Sequence, residues 1–350
     1  MKIGITGFPG TGKTTIFNAL TGLAAETGPG ARQKENMGAI KVPDPRVDEL
    51  SRLHASKKTV YAEVVFVDVA GTPGAAPSGQ GLEPQVLAAM RQCDVLVIVL
   101  RAFDNPALPD APNPVRERDA FLTEMILSDL GPLENRKERI KKDAGRKDEV
   151  ALLDRCIAHL EGEAPLATLS LTPAEWAQLS GFGLLTTKPL LYLLNQAEED
   201  FTGELPADVA ALAASSGAEI MPISGKIEMD IATMAPEEQA EFLEALGLTT
   251  SARDRFVQRA YALLDLISFL TTGEDESRAW PIARGTNAQH AAGKIHSDIE
   301  RGFIRAEVVA YDELVALGSE KKAKDAGKMR LEGKEYVVHD GDVINFRFNV

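Results

Sequence analysis

The 350-residue sequence predicts an α/β protein: a doubly wound, mostly parallel sheet, interrupted by a helical insertion and followed by a small α+β domain with a strand-rich end. Three observations carry this expectation. Continuous apolar runs recur at 64–67, 95–100, 190–194 and 219–223, and runs of this length suit strands buried on both faces. A glycine-rich turn over 7–14 joins an alternating strand at 2–6 to a helical pattern at 14–20. Between about 113 and 186 the apolar residues fall instead at purely helical spacing.

Between the apolar runs lie helical patterns such as 84–93, which gives the alternation of a doubly wound fold. In the insertion, Phe121, Leu122, Met125, Ile126, Leu130 and Leu133 form one stripe, and Val150, Leu153, Ile157 and Leu160 a second. They predict two long antiparallel helices, a coiled-coil-like pair that turns near Gly145. Proline-containing stretches at 110–114 and 162–165 mark its approximate edges. Thr271-Thr272-Gly273-Glu274-Asp275 is expected to end a helix and open the last unit. There, 278–282 and 303–309 suit strands, and Ala288, Ala292, Ile295 and Ile299 share a helical face. His339-Asp340-Gly341-Asp342 reads as a turn before a final strand in which Ile344, Phe346, Phe348 and Val350 alternate. The expected domains are therefore 1–112 with 187–265, 113–186, and 266–350.

Composition narrows the function classes. Hydrophobic residues make up 44% of the chain, and no apolar run approaches the length of a membrane span. The first strand and glycine-rich turn leave no room for a signal peptide, so a cytoplasmic protein is expected. Cys93 and Cys156 lack metal-site or redox spacing and read as core residues. A net charge of −14 opposes condensation on nucleic acid, and no DNA partner is expected. None of the five histidines has a partner at metal-ligand spacing, and His296 reads as a structural hydrogen-bonding residue.

The chemistry is concentrated in three motifs. Gly7-Phe8-Pro9-Gly10-Thr11-Gly12-Lys13-Thr14 has the P-loop spacing in its strand–loop–helix context. Backbone N–H groups from Gly10 to Thr15 would curl around phosphate oxygens at a helix N-terminus. Lys13 is placed to bridge the outer phosphates and the Thr14 hydroxyl to ligate Mg²⁺. Asp68-Val69-Ala70-Gly71 follows a buried strand as a D-x-x-G element. Asp68 is the second Mg²⁺ residue, and the Gly71 N–H senses the γ-phosphate. Gly74, Gly79 and Gly81 follow, as in a switch segment. Asn195-Gln196-Ala197-Glu198 also ends a buried strand, where a guanine-selective site carries N-K-x-D. With Gln196 in place of the lysine and Glu198 one methylene longer than aspartate, guanine selectivity should weaken in favour of adenine, which Asn195 can address. Ser224-Gly225-Lys226 reads as the loop closing over the base.

Together these motifs resemble the YchF/Obg-like ATPase family of translation-factor nucleotidases, over essentially the whole chain. The likeness is densest at 291–308 and 340–350, which resemble a TGS domain of β-grasp type, and at Val42-Pro43-Asp44-Pro45-Arg46. The resemblance implies a slow Mg²⁺-dependent ATPase that also accepts GTP and associates with ribosomes in translation and stress responses. Three positions depart from the family pattern. Arg32 stands where the first switch carries a Mg²⁺-binding threonine, Thr72 replaces a large apolar residue, and Gly10-Thr11 replaces Asn-Val. Arg32 reads either as a solvated loop arginine or as an internal arginine finger. Two other readings remain open: a ribosome-associated module that holds nucleotide without hydrolysing it, and a small-molecule kinase, against which the D-x-x-G element and the C-terminal domain argue. A basic run, Arg136 to Lys142 with Arg146 and Lys147, is either a solvated helix face or a contact for ribosomal RNA phosphates.

Overall fold

In a computed structural model, the structure describes residues 2–25, 36–69, 82–248 and 250–349. Arg32, Gly71, Thr72, the glycines at 28, 30, 74, 79 and 81, and Val350 lie outside them. The strands in chain order are β1 (Lys2–Thr6), β2 (Asn36–Val42), β3 (Thr59–Val60), β4 (Ala62–Asp68), β5 (Val95–Ala102), β6 (Leu190–Gln196), β7 (Ile220–Ile223), β8 (Leu266–Thr271), β9 (Ser277–Ala283), β10 (Phe303–Ala310), β11 (Arg330–Glu332) and β12 (Asp342–Phe348).

The chain forms two compact units: Met1–Ala39 with Val65–Phe256, and Ile40–Val64 with Val257–Val350. In the first, a six-stranded sheet runs β2-β4-β1-β5-β6-β7. The pairings β1–β4, β1–β5, β5–β6 and β6–β7 are all parallel. Parallel strands end on one edge, so the turn after β1, Asp68 at the end of β4, Arg101 near the end of β5 and Asn195 near the end of β6 gather there. Strand β5 is buried along nearly its whole length, as its unbroken apolar run requires.

The helical stretch belongs to this first unit. A helix at Pro114–Ile140 folds back through a 3₁₀ turn at Ala144–Arg146 into a helix at Lys147–Glu161. Leu122, Ile126, Leu133 and Ile140 share a core with Leu152, Leu153, Cys156, Ile157 and Leu160. Leu166, Leu179 and Leu184 complete that core, so the pair is capped by a third segment rather than standing as a bare hairpin. Asp129, fully buried, accepts hydrogen bonds from Leu185 N, Thr186 N and Thr186 Oγ1, which ties the returning chain to the long helix. In the basic run, Arg136 pairs with Glu149, Lys137 with Asp154, Lys141 with Glu138, and Arg146 with Asp143 and Glu149. Much of its charge is thus neutralised within the helical stretch.

The second unit carries a mixed sheet of order β11-β10-β12-β8-β9-β3. One face packs Ile267, Phe269, Ile282, Phe303, Ala306 and Phe346 against the helix Ala288–Ile295. The other packs Leu270, Ala279, Val309 and Val343 against Val47, Leu50 and Ala62. That second core is why residues 40–64 group with the C-terminal sequence. Here the structure corrects one expectation: Leu266–Thr271 is a strand, not the end of a helix. The preceding helix stops at Leu263, and Asp265 turns the chain with φ of 47°. Both cysteines are buried thiols. His296 accepts from Asp298 N at the start of a short helix, a structural role. No described helix is long and apolar enough to cross a membrane.

Candidate functional site

The glycine-rich turn leaves β1 at Thr6 and enters a helix at Lys13. Gly12 has φ of 87°, and a Cβ there would lie 2.3 Å from Asn195 Nδ2, so only glycine fits between the turn and β6. Thr11 Oγ1 donates to Phe8 O at 3.0 Å, and Lys13 Nζ to the same oxygen at 2.8 Å. The two bonds hold the turn in a closed ring. Lys13 is buried, and burial pushes its ammonium down to about 8 against the raising influence of Asp68 and Glu117. A polyanion beside it would add the counter-charge by which Asp68 and Glu117 fall short of offsetting burial.

Thr14 Oγ1 donates to Asp68 Oδ2 at 3.1 Å, and Asn36 Nδ2 reaches the same oxygen at 3.4 Å. Asp68 Oδ1 is buried without a hydrogen-bond partner. Burial raises the carboxyl above its ordinary range, while Thr14, Asn36 and Lys13 oppose the rise. A hydroxyl next to an unsatisfied carboxylate oxygen is a set of hard donors that fits a small divalent cation. Pro9 and Thr15 flank the turn, half-buried.

Asn195, buried at the end of β6, donates to Thr11 O at 2.9 Å and accepts from Gly225 N at 3.0 Å. It ties the P-loop to the segment after β7. That segment is not the expected free loop: Gly225–Thr233 is a helix, with Ser224 at its N-cap. The Ser224 hydroxyl and Gln196 Oε1 are both buried without partners. Glu198 lies exposed in the turn after β6, ion-paired with Lys226. The structure thus brings together the turn from Gly7 to Thr15, Asp68, Asn195 and Gly225. Gly71 lies outside the described residues.

Asn36 and Glu117 join the site without a motif to mark them. Asn36 opens β2 and meets Asp68 only through the fold, and nothing local marks it. Glu117, almost fully buried, is ion-paired with Arg101 at 3.5 Å and adds a second carboxylate near Lys13. A charged residue among the apolar positions of the long helix was its one available signal.

Comparison with known proteins agrees with this geometry. A family model described as "50S ribosome-binding GTPase" matches residues 2–137. The model for the YchF GTPase C-terminal region, described as "Protein of unknown function (DUF933)", matches residues 266–349. The chain is 40% identical to the "Ribosome-binding ATPase YchF" of Bacillus subtilis, with all of both chains covered. It is 39% identical to the protein of that name from Escherichia coli O157:H7, covering all of this chain and 99% of the other. Among solved structures, the YchF GTPase of Schizosaccharomyces pombe superposes with a TM-score of 0.88 at 30% identity, covering 99% of this chain and 97% of that one. Full-length identity at this level, with the P-loop and the C-terminal region both matched, means that the chain belongs to the YchF family.

Proposed function

We propose that this chain is a cytoplasmic, ribosome-associated nucleoside triphosphatase that binds and slowly hydrolyses ATP with Mg²⁺, with GTP as second substrate. The observation that carries the reading is the presence in one site of a desolvated ammonium, Lys13, and an unsatisfied Asp68 Oδ1, with the Thr14 hydroxyl on the other oxygen of that carboxylate. In this reading the backbone N–H groups of Gly10 to Thr15 and the Lys13 ammonium bind the phosphates, and Thr14 and Asp68 hold the cation. Held there by Thr14 and Asp68, Mg²⁺ would supply positive charge opposite the phosphate oxygens. The chain's own contribution is positioning and a site already built for negative charge. Gly71 serves as γ-phosphate sensor.

The base preference rests on Asn195 and Glu198. Guanine offers two donors to a carboxylate, but Glu198 is already engaged with Lys226. Asn195 keeps one N–H and one lone pair free for the acceptor and donor of adenine. Ribosome association is proposed by likeness to the relatives from Bacillus subtilis and Escherichia coli, both named ribosome-binding ATPases.

Calorimetric titration with ATP and with GTP, each with and without Mg²⁺, tests the reading. Mg²⁺ should tighten ATP binding to the wild type, and Asp68→Asn should remove that Mg²⁺-dependent gain. Tight GTP binding with no ATP binding overturns the base assignment. Phosphate release measured with and without ribosomes separates hydrolysis from mere retention of nucleotide.

A further inference from the structure

The P-loop carbonyls are held from behind by two asparagines, and only one belongs to the motifs above. Asn195 Nδ2 donates to Thr11 O at 2.9 Å. Asn105 Nδ2 donates to the preceding carbonyl, Gly10 O, at 3.1 Å. In a trans peptide the C=O of one residue and the N–H of the next point in opposite directions. Pinning Gly10 O from outside therefore fixes the direction of the Thr11 N–H, just as pinning Thr11 O fixes that of Gly12.

Asn105 is itself held in place. Its Oδ1 accepts from Ala107 N at 3.0 Å, which closes a tight turn after β5. Both ends of the turn hang on one buried guanidinium. Arg101 donates through Nη1 to Phe103 O at 3.4 Å and through Nη2 to Asp110 O at 2.9 Å and Ala111 O at 3.3 Å. Glu117 fixes Arg101 in turn, through the ion pair and by accepting from Arg101 N at 2.8 Å. The approach is close. Gly10 has φ of 78°, and a Cβ there would lie 2.8 Å from Leu108 Cδ1 and 3.0 Å from Asn105 Nδ2. Glycine at this position, where the family pattern has asparagine, leaves the space that the Leu108 and Asn105 side chains occupy.

We infer that Asn105 is a positioning residue for phosphate binding: held by the Arg101–Glu117 pair, it aims the Thr11 N–H at the nucleotide. The inference rests on the nucleotide-binding reading above. Because the clamp orients a group that meets phosphate before and during reaction alike, its loss acts on binding rather than on turnover.

The test is steady-state ATP hydrolysis and calorimetric ATP binding, with Mg²⁺, for the wild type, Asn105→Ala and Asn105→Asp. The aspartate variant keeps the shape and loses the donor, and the repulsion from the charge it adds, unlike the loss of the donor, fades as salt is raised. It carries the test if the alanine variant fails to fold. A lost neutral hydrogen bond should weaken ATP binding and raise KM about threefold to tenfold, with kcat and the nucleotide-free melting temperature unchanged. Unaltered affinity in Asn105→Asp, or a fall in kcat at constant KM, overturns the inference while leaving the nucleotide reading intact. A wild-type chain that binds no nucleotide overturns that reading and takes this inference with it.

Discussion

In the second unit Arg46 donates to Asp44 and to Asp340, and Asp340 accepts in addition from Ser268 N at 2.8 Å. Ser56, Ser277, Thr272 and His54 form a continuous hydrogen-bonded chain. In the first unit, by contrast, Asp68 Oδ1, Gln196 Oε1 and the Ser224 hydroxyl are buried with no partner, and Lys13 makes do with a backbone carbonyl. Among the described residues, every buried side-chain atom of this unsatisfied kind belongs to the first unit. An unmade buried hydrogen bond costs about 1–3 kcal/mol, so a fold retains several only where something offsets them. The contrast separates two uses of polar groups: the networks of the second unit, like Asp129 in the first, are saturated and hold the chain, whereas Asp68, Gln196 and Ser224 are left open at the end of a parallel sheet.

The largest effect expected from this contrast is at Lys13. Lys13→Ala should weaken ATP binding at least about 100-fold, since it removes charge-assisted bonds to phosphate. It should not destabilise the nucleotide-free protein. The ammonium is held well below its ordinary range by burial, so at neutral pH the charged form works against the folded state. Calorimetry and thermal unfolding of the same samples read both quantities. A variant that melts much earlier without ligand would make Lys13 a structural residue and break the comparison.

Arg46→Ala should give the opposite pattern. It strands two carboxylates that share one partly buried guanidinium, and should cost about 1–3 kcal/mol of stability, read as a shifted urea midpoint. The local backbone is built for that contact: Gly341, at φ of 82°, would place a Cβ 3.0 Å from Arg46 Nη1. ATP affinity should stay within about twofold of the wild type, because Arg46 closes a network and leaves no group open to a ligand. A nucleotide-binding defect with unchanged stability would reverse the assignment of roles.

The two patterns also differ in how far the sequence exposes them. The P-loop is legible because its chemistry is local: eight consecutive residues set the turn, the ammonium and the hydroxyl. Asp68 is legible because it directly follows an apolar run. Asn36, Asn105 and Glu117 are not, since each matters only through a partner brought near by the fold. Strand β8 shows a different failure. Its apolar run at Leu266–Thr271 fits a buried strand or a buried helical turn equally, and periodicity cannot choose between them. The grouping of 40–64 with the C-terminal sequence depends on Val47 and Leu50 meeting Leu270 and Val309, a contact without a local signature.

The smallest expected effect sharpens the comparison through pH. Tyr261 in the second unit is pushed up to about 12, chiefly by burial, with its hydroxyl 2.6 Å from Ser268 Oγ. Tyr61 also rises to about 12, through its hydrogen bond to Asp48, and Tyr336 to about 12 by burial and Asp342. A tyrosine whose folded pKa exceeds its unfolded value near 10 stabilises the fold fully below pH 10 and loses that contribution as pH rises toward 12. The urea midpoint should therefore rise between about pH 8 and 10, as Lys13 with its lowered pKa loses its proton, and fall between 10 and 12 as the tyrosines titrate. Tyr261→Phe should lower the stability by only about 0.5–1 kcal/mol at pH 8 and make the decline above pH 10 shallower. These hydroxyls lie in the saturated unit, so the same substitution should leave ATP affinity at pH 8 unchanged. If the alkaline decline is as steep in Tyr261→Phe as in the wild type, deprotonation of this hydroxyl does not contribute to it.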